Sequence, residues 1–158
     1  MRISDHNRKD SHPNSADLSF YAASQADSDL LLTWANDPGV RAASGDRPPI
    51  QYAEHEKWLE GILQDPHSRL MMVRQAHAVV GVVRIIHAVE YHEISWTVAP
   101  EFRGRGIGCK MVAMVTAELS GPLRATVEKS NAASIKVAQA AGFELYQDKE
   151  NVLFYRRN

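Results

Sequence analysis

The segment R-G-R-G-I-G at residues 103–108 constrains the fold most, because it lies between a strand-like run and a run with helical spacing. Glycine permits the positive-φ backbone that points successive N–H groups into one concavity, and the N-terminus of the following helix adds about half a positive charge. A strand, a glycine loop and a helix in this order form a cradle for a pyrophosphate. An isolated pair of glycines is more often only a turn, but three glycines with Arg103, Arg105 and Lys110 favour an anion site.

Two familiar phosphate-binding patterns do not fit this loop. A dinucleotide fingerprint, G-x-G-x-x-G, would need a further glycine where the chain has Cys109 or Met111. A Walker A loop needs a glycine before its lysine and a hydroxyl side chain after it, whereas Lys110 follows Cys109 and precedes Met111. The pattern that remains is R-x-x-G-x-G, formed by Arg103, Gly106 and Gly108.

Hydrophobic spacing along the rest of the chain predicts an α+β fold. The predicted strands cover residues 18–23, 69–75, 79–87, 91–98, 123–127, 143–146 and 152–156, and the predicted helices follow Asp27 or Ser28, cover 53–64, follow the glycine loop, and lie between Asn131 and Gly142. Short turns between the three middle strands predict an antiparallel meander. Two later strand–helix units predict that neighbouring strands run parallel.

Composition limits the classes of protein that the chain can belong to. Its 158 residues, 44% hydrophobic and 23% charged, suit one globular domain at 18–158, with the polar residues 1–17 as a flexible arm. The formal charge of −1 gives no overall field that attracts nucleic acid or an anionic membrane. The longest apolar stretch is far short of a membrane span, and the polar start does not resemble a signal peptide.

The few residues with redox or metal-binding chemistry are scattered. Cys109 is the single cysteine, which excludes an internal disulfide and agrees with a reducing cytoplasm. The seven histidines form no H-E-x-x-H motif and no pair four residues apart, so we expect no metal site. We therefore expect a cytoplasmic protein, monomeric or homodimeric.

A second motif accompanies the glycine loop: N-A-A-S, starting at Asn131, is followed eight residues after Ser134 by Gly142 and Phe143. Together the two motifs resemble the GCN5-related N-acetyltransferase (GNAT) superfamily over roughly residues 18–155. The resemblance implies acetyl-CoA as cosubstrate and a mostly antiparallel sheet, flanked by helices, whose central parallel strands splay apart. The cofactor-binding residues that it implies are Trp96, Val98, Arg103, Gly104, Arg105, Gly106, Ile107, Gly108, Asn131 and Ser134, with the oxyanion donor supplied by backbone near Val98.

The predicted catalytic groups lie on the strand that precedes the loop. Side chains alternate between the two faces of a strand, so Glu93 and His92 lie on opposite faces and only one of them can line a cleft. Glu93, acting through water, is the first candidate for the general base and His92 the second. The family's usual tyrosine, four residues before the glycine of the G-F pair, is Ala138 here. The leaving thiolate would then be protonated by Tyr146, by Tyr155 or by water, or would need no dedicated acid because a thiol pKa near 8.5 is already low.

The acceptor side carries a separate resemblance. The stretch W-A-N-D-P-G-V-R, residues 34–41, is similar to a subgroup that acetylates nucleotide-linked 4-amino-4,6-dideoxy sugars. It implies a small-molecule amine as substrate, with Trp34, Arg41 and Arg84 as candidate contacts. Arginines of this kind are also common as surface residues, and a tryptophan on an apolar helix stripe is usually core.

Other functions share some of these features. A subgroup that acetylates ribosomal proteins and peptide N-termini has part of the same N-D-P pattern. The alanine at 138 also fits a CoA-binding sensor module that has lost its chemistry.

Overall fold

The computed structural model describes residues 17–43 and 47–158. Its strands are β1 (Leu18–Ala22), β2 (Ser68–Gln75), β3 (Ala78–His87), β4 (His92–Val98), β5 (Leu123–Glu128), β6 (Glu144–Lys149) and β7 (Val152–Arg157), and its helices are α1 (Ser28–Ala35), α2 (Pro38–Ala43), α3 (Tyr52–Gln64), α4 (Ile107–Ala117) and α5 (Ala132–Ala140). Among these residues, no helix is both long and apolar enough to cross a membrane. The predicted arm, 1–17, falls almost wholly outside the described residues.

All seven strands form one sheet, in the order β1-β2-β3-β4-β5-β7-β6. Neighbours are antiparallel except β4 and β5, which are parallel. The β3–β4 pairing continues to Val98, whereas the β4–β5 pairing is confined to two residue pairs, His92 with Leu123 and Glu93 with Arg124. Strands β4 and β5 therefore separate after Glu93, and the predicted α+β class with a splayed central parallel pair is confirmed.

The helices cover the sheet from both sides. Helices α4 and α5 contact each other and pack on β3, β4 and β5, around a core that includes Val83, Ile94 and Val112. Helices α1 and α3 pack on the opposite face, where Leu31, Trp34, Leu59, Leu70 and Met72 form a second cluster. The two clusters use alternate residues of the same strands, as the period of a strand requires.

Helix α1 follows Asp27, as expected, and Asp27 is its N-cap position. The Asp27 side chain forms no cap hydrogen bond for α1, because its carboxylate accepts from the Ser24 backbone N–H, 2.9 Å away, in the capping box of the preceding turn. The structure adds a helix that the sequence did not indicate. Helix α2 was not predicted. It begins at Pro38, a residue favoured in the first turn, and the Asp37 carboxylate accepts hydrogen bonds from the first backbone N–H groups beyond it.

Candidate active site

The glycine loop turns β4 into α4 with left-handed backbone at two positions. Gly104 has φ +73° and Gly106 has φ +76°, and no atom beyond the adjacent residues lies within 4 Å of a Cβ built on either residue. Backbone conformation, rather than crowding, therefore requires glycine at both positions. Gly106 is the N-cap of α4 and provides no side-chain acceptor, so the first N–H groups of the helix are available to a ligand.

Gly108 serves a different purpose, close packing. A Cβ at this position would lie 3.1 Å from Cγ2 of Val137 on α5 and 3.3 Å from Cγ2 of Val98 on β4. The missing side chain lets α4 start close to both elements, which places the loop directly at the end of the separated strand.

Three cavities surround the point where β4 and β5 part. The loop cavity, about 550 Å³, lies between the end of β4, the glycine loop and the start of α5. The helix cavity, about 340 Å³, lies between helices α1 to α3 and strands β2 to β4. The strand cavity, about 390 Å³, lies between β4 and β5 themselves.

The three cavities adjoin one another, because each pair of them shares lining residues. The loop and helix cavities share Val40 and Thr97, and the helix and strand cavities share Arg84 and Ser95. The loop and strand cavities share Asn131 and Ser134, which are joined by a cap in which Asn131 Oδ1 accepts from the Ser134 N–H at 3.1 Å. Trp96 lines all three cavities and marks their junction.

The predicted cofactor residues gather around the loop cavity. Its lining includes Trp96, Val98, Arg103, Gly104, Gly106, Ile107, Gly108, Asn131 and Ser134. Arg105 is exposed and lies with its guanidinium carbon 5.2 Å from the centre of the Phe102 ring, outside that lining. Lys136 of α5 also lines the cavity and was not singled out from the sequence.

The two candidate bases lie on opposite faces of β4, as the alternation predicts. Glu93 is half-buried and lines the strand cavity together with Arg47 and Arg84. The His92 ring lies outside the three cavities, with Nε2 at 3.0 Å from the Ser120 carbonyl oxygen and Nδ1 at 2.9 Å from Nδ1 of His87. Burial, and then the neighbouring His92, lower the pKa of the His87 imidazole. The geometry thus brings Glu93 to the cleft and His92 to a separate contact.

The tyrosines considered as acids lie away from the cleft. The Tyr146 ring is 6.3 Å from the ring of Phe154 and 5.5 Å from the guanidinium of Arg156, and it lines none of the three cavities. Tyr155 is buried in the core around α4 and α5. Ala138, where the family usually has tyrosine, is fully buried in that same core.

All three predicted substrate contacts line the helix cavity, with different exposures. Trp34 is 3% exposed and also belongs to the second core cluster, so packing and lining coincide. Arg41 lies on α2, where its Nη1 donates to the Pro48 carbonyl at 3.4 Å. Arg84 lies on β3, half-buried, opposite Ser95.

Helix α3 contributes two residues that were not among the predicted substrate contacts. His55 is 2% exposed, and its Nε2 lies 3.0 Å from the Ser28 carbonyl oxygen. Its ring is 5.6 Å from that of Trp58, which is 42% exposed on the cavity wall. The spacing of three residues between His55 and Trp58 places both on one side of a helix, and was the available signal. Arg47 precedes α3 and carried no comparable signal.

An ion pair ties the acceptor side to the loop. Nη1 of Arg103 lies 3.0 Å from Oδ2 of Asp37. Partial burial acts to raise the pKa of the Asp37 carboxyl. Hydrogen bonds from Arg103 and from the Val40 N–H together lower this pKa by more than burial raises it, so it lies below its usual value. Among residues 17–43 and 47–158, no group of three or more His, Cys, Asp or Glu side chains could hold a metal ion.

Comparisons with known proteins agree with this geometry. A family model described as an acetyltransferase (GNAT) domain matches residues 17–144, whereas no curated protein matches the chain. A domain from Methanocaldococcus jannaschii superposes with a TM-score of 0.80 at 21% identity, covering 90% of this chain and 99% of its own.

Two named acetyltransferases share the fold. Spermidine N-acetyltransferase from Vibrio cholerae, solved with CoA and spermine, has a TM-score of 0.75 at 17% identity and covers 88% of this chain and 92% of its own. The N-acetyltransferase PseH from Campylobacter jejuni has a TM-score of 0.68 at 18% identity and covers 89% of this chain and 96% of its own. Since the family model spans most of the chain and the splayed sheet carries the R-x-x-G-x-G loop, the chain belongs to the GNAT acetyltransferase family.

Proposed function

We propose that this protein is an acetyl-CoA-dependent enzyme that transfers an acetyl group directly to a primary amine of a small molecule. The observation that carries the proposal is the junction of the three cavities at Trp96, where β4 and β5 separate. A cosubstrate in the loop cavity and an amine in the adjoining cavities would meet at this junction. Holding two reactants together in this way supplies a large part of the rate enhancement.

The loop cavity suits the cosubstrate. The backbone of Gly104 to Gly108 and the start of α4 would bind the pyrophosphate, and Arg103 and Lys136 add positive charge beside it. When bound, acetyl-CoA supplies the acetyl group as an activated thioester. The relative from V. cholerae was solved with CoA, which supports this assignment.

The end of β4 offers a backbone donor for the oxyanion. The Ala99 N–H donates to the Val80 carbonyl on β3 at 2.8 Å, and the His92 N–H donates in the other direction, to the Pro122 carbonyl at 2.9 Å. Successive N–H groups of a strand alternate in direction, so the Val98 N–H points toward the gap that β5 leaves. We assign to this N–H the stabilisation of negative charge on the acetyl oxygen.

Glu93 is the proposed base. An amine is a nucleophile only without its extra proton, and Glu93 lies at the strand cavity with a carboxylate that can accept this proton through water. No tyrosine discussed above lines the cleft, so we propose that the departing thiolate takes its proton from water. The ordinary thiol pKa, near 8.5, makes the thiolate a good leaving group without a dedicated acid.

The acceptor we propose is a nucleotide-linked amino sugar. Arg41 and Arg84 line the helix cavity, and Arg47 and Arg84 line the strand cavity. Arg84 is half-buried and forms no ion pair with any described carboxylate. Arginines suit the diphosphate of such a sugar, whose amine would then lie toward Glu93.

A thiol-release assay tests the proposed activity. The purified chain is incubated with acetyl-CoA and, in separate reactions, a UDP-linked 4-amino-4,6-dideoxy sugar, a peptide with a free N-terminus, and spermidine. We expect CoA release and a product heavier by one acetyl group with the sugar. Tight CoA binding without thiol release from any amine would contradict the proposal and favour the sensor reading.

A further inference from the structure

A pair of histidines joins β3 to β4 at the end of the sheet where β4 also meets β5. His87 and His92 are cross-strand partners, and their Nδ1 atoms lie 2.9 Å apart with the ring planes at 81°. On its other side, Nε2 of His92 lies 3.0 Å from the Ser120 carbonyl oxygen. The two rings therefore form one hydrogen-bond network from β3 to the segment that precedes β5.

This network fixes where the protons lie when both rings are neutral. A carbonyl oxygen only accepts, so Nε2 of His92 carries a hydrogen atom and its Nδ1 carries a lone pair. Nδ1 of His87 must then be the donor to that lone pair. Every donor in the network meets an acceptor, and one added proton, on Nε2 of His87, leaves these bonds in place.

A second proton breaks the bond between the rings. The remaining site is Nδ1 of His92, and its protonation leaves two N–H groups and two positive charges facing each other without an acceptor between them. No Asp or Glu among the described residues forms an ion pair with either ring. The two rings are therefore held together only while at least one of them is neutral.

The surroundings of the pair already disfavour the first proton. The pKa of the His87 imidazole is lowered by burial and then by three neighbouring side chains that are cationic or become so in acid. These are His92 on β4, Arg69 on β2 and His67 just before β2. The folded protein thus resists taking up charge at this position.

The pair lies where β4 is joined to β5. The pairing of these two strands is confined to two residue pairs, of which His92 with Leu123 is one. The His92 backbone N–H also donates to the Pro122 carbonyl, at 2.9 Å. A repulsion that moves His92 away from β3 therefore acts on the short contact at which the gap between β4 and β5 begins.

We propose that His87 and His92 form an acid-sensitive latch, which holds β4 beside β5 while one ring is neutral and opens this contact when both rings are protonated. The inference goes beyond the proposed function and does not rest on it, because the latch acts on the sheet itself. The unfolded chain takes up a proton on His87 near the ordinary pKa of 6.5, whereas the folded chain does so only at lower pH. The stability that the latch provides is therefore present above about pH 6.5 and is lost as the pH falls below it.

NMR spectra of the unmodified protein test the latch directly. Long-range ¹H–¹⁵N correlations show which ring nitrogen carries the proton, and at about pH 7.5 this should be Nδ1 in His87 and Nε2 in His92. On acidification to about pH 5.5, the protection of the His92 amide against exchange should fall about tenfold relative to that of Ala99, whose N–H pairs with Val80 beyond the other end of β4. A His87 ring protonated only on Nε2 at about pH 7.5, or unchanged protection at His92, would overturn the inference.

The variant His87→Asn separates protonation from hydrogen bonding. The amide nitrogen of asparagine replaces Nδ1 as the donor to His92, and the amide can turn its oxygen toward a protonated His92, so the contact survives in acid. Between about pH 7.5 and 5.5, the folding equilibrium constant of the unmodified protein should fall up to about tenfold more than that of His87→Asn, measured by urea unfolding.

The matched control is His77→Asn, which replaces an exposed histidine in the turn between β2 and β3. This variant should keep the full pH dependence of the unmodified protein. Equal pH dependence in the unmodified protein and in His87→Asn would overturn the inference. If His87→Asn does not fold, the ring protonation and amide exchange of the unmodified protein decide the matter.

Discussion

The loop cavity and the helix cavity meet at Trp96 but are built in different ways. The loop cavity is made largely from backbone in one continuous segment, with left-handed glycines at 104 and 106 followed by the start of α4. The helix cavity is made from side chains of helices and strands that are distant in sequence. A backbone-made site binds what its local conformation dictates, whereas a side-chain-made site can change its ligand by substitution. The first suits a common cosubstrate and the second a particular acceptor.

The largest expected effect isolates chemistry from binding on the acceptor side. Glu93→Gln keeps the shape and hydrogen bonding of the side chain but removes its basicity, so kcat should fall about 10²- to 10⁴-fold. The Kd of acetyl-CoA should hardly change, because the proposed cosubstrate site lies at the loop. Steady-state kinetics with the best acceptor, together with calorimetry for acetyl-CoA, measure the two quantities.

The pH profile sharpens this test. An amine that loses its proton in solution needs no base, so the activity of Glu93→Gln should recover partly as the pH rises. His92→Gln is the control, since that ring contacts Ser120 and His87 rather than the cleft. If the Glu93→Gln variant stayed active while the His92→Gln variant lost its activity, the reaction would take place on the other face of β4.

The next effect isolates the backbone-made half. Gly106→Val forces a branched side chain into left-handed backbone and should displace the N–H groups proposed to bind the pyrophosphate. The Kd of acetyl-CoA should then rise about a hundredfold or more. Gly121 offers a matched control, with φ +93°, equally open surroundings and a position outside the three cavities. Gly121→Val should cost similar stability but leave the Kd unchanged, and equal Kd values for the two variants would make the loop an ordinary turn.

The same contrast explains what the sequence could predict. The glycine loop, the Asn131 cap and the alternation of β4 are local signals, and the structure places each as expected. Backbone geometry at a glycine depends mainly on residues adjacent in sequence. A site made from such geometry can therefore be read from a short motif.

The acceptor side depends on assembly between distant residues, which a short motif does not encode. Arg103 pairs with Asp37 across 66 positions of sequence, and His55 reaches the Ser28 carbonyl across 27. Among the described residues, Nε of Arg41 has no hydrogen-bond partner, which follows only from what packs around it in three dimensions. Sequence patterns proposed Trp34, Arg41 and Arg84 for this side but could not identify which of their atoms lack partners.

The smallest effect concerns the ion pair that joins the two regions. Asp37→Asn keeps an oxygen to cap α2 but removes the charge beside Arg103. Because the pair is partly exposed, the melting temperature at pH 7 should drop only about 1–3 °C, and the KM for acetyl-CoA should fall up to about threefold as Arg103 becomes a better anion ligand. Asp148→Asn, which breaks the exposed pair with Lys129, should leave this KM unchanged.

The pH dependence of this difference checks its electrostatic origin. The pKa of Asp37 is lowered in the folded protein, so its contribution to stability is present above the ordinary carboxyl pKa of 3.8 and is lost as the pH falls through the lowered value. The difference in melting temperature between the unmodified protein and Asp37→Asn should therefore shrink below about pH 4. A difference that grows on acidification would contradict this account.

The central claim, that the backbone-made loop cavity binds acetyl-CoA, is tested most directly by ligand-dependent melting. A ligand that binds only the folded state at a hundred times its Kd stabilises it by about 2.7 kcal/mol, which raises the melting temperature of a domain of this size by about 5–10 °C. Acetyl-CoA should produce this rise in the unmodified protein, while NAD and ATP at the same concentration should do much less. If NAD raised the melting temperature by this amount and acetyl-CoA did not raise it, the claim would be contradicted.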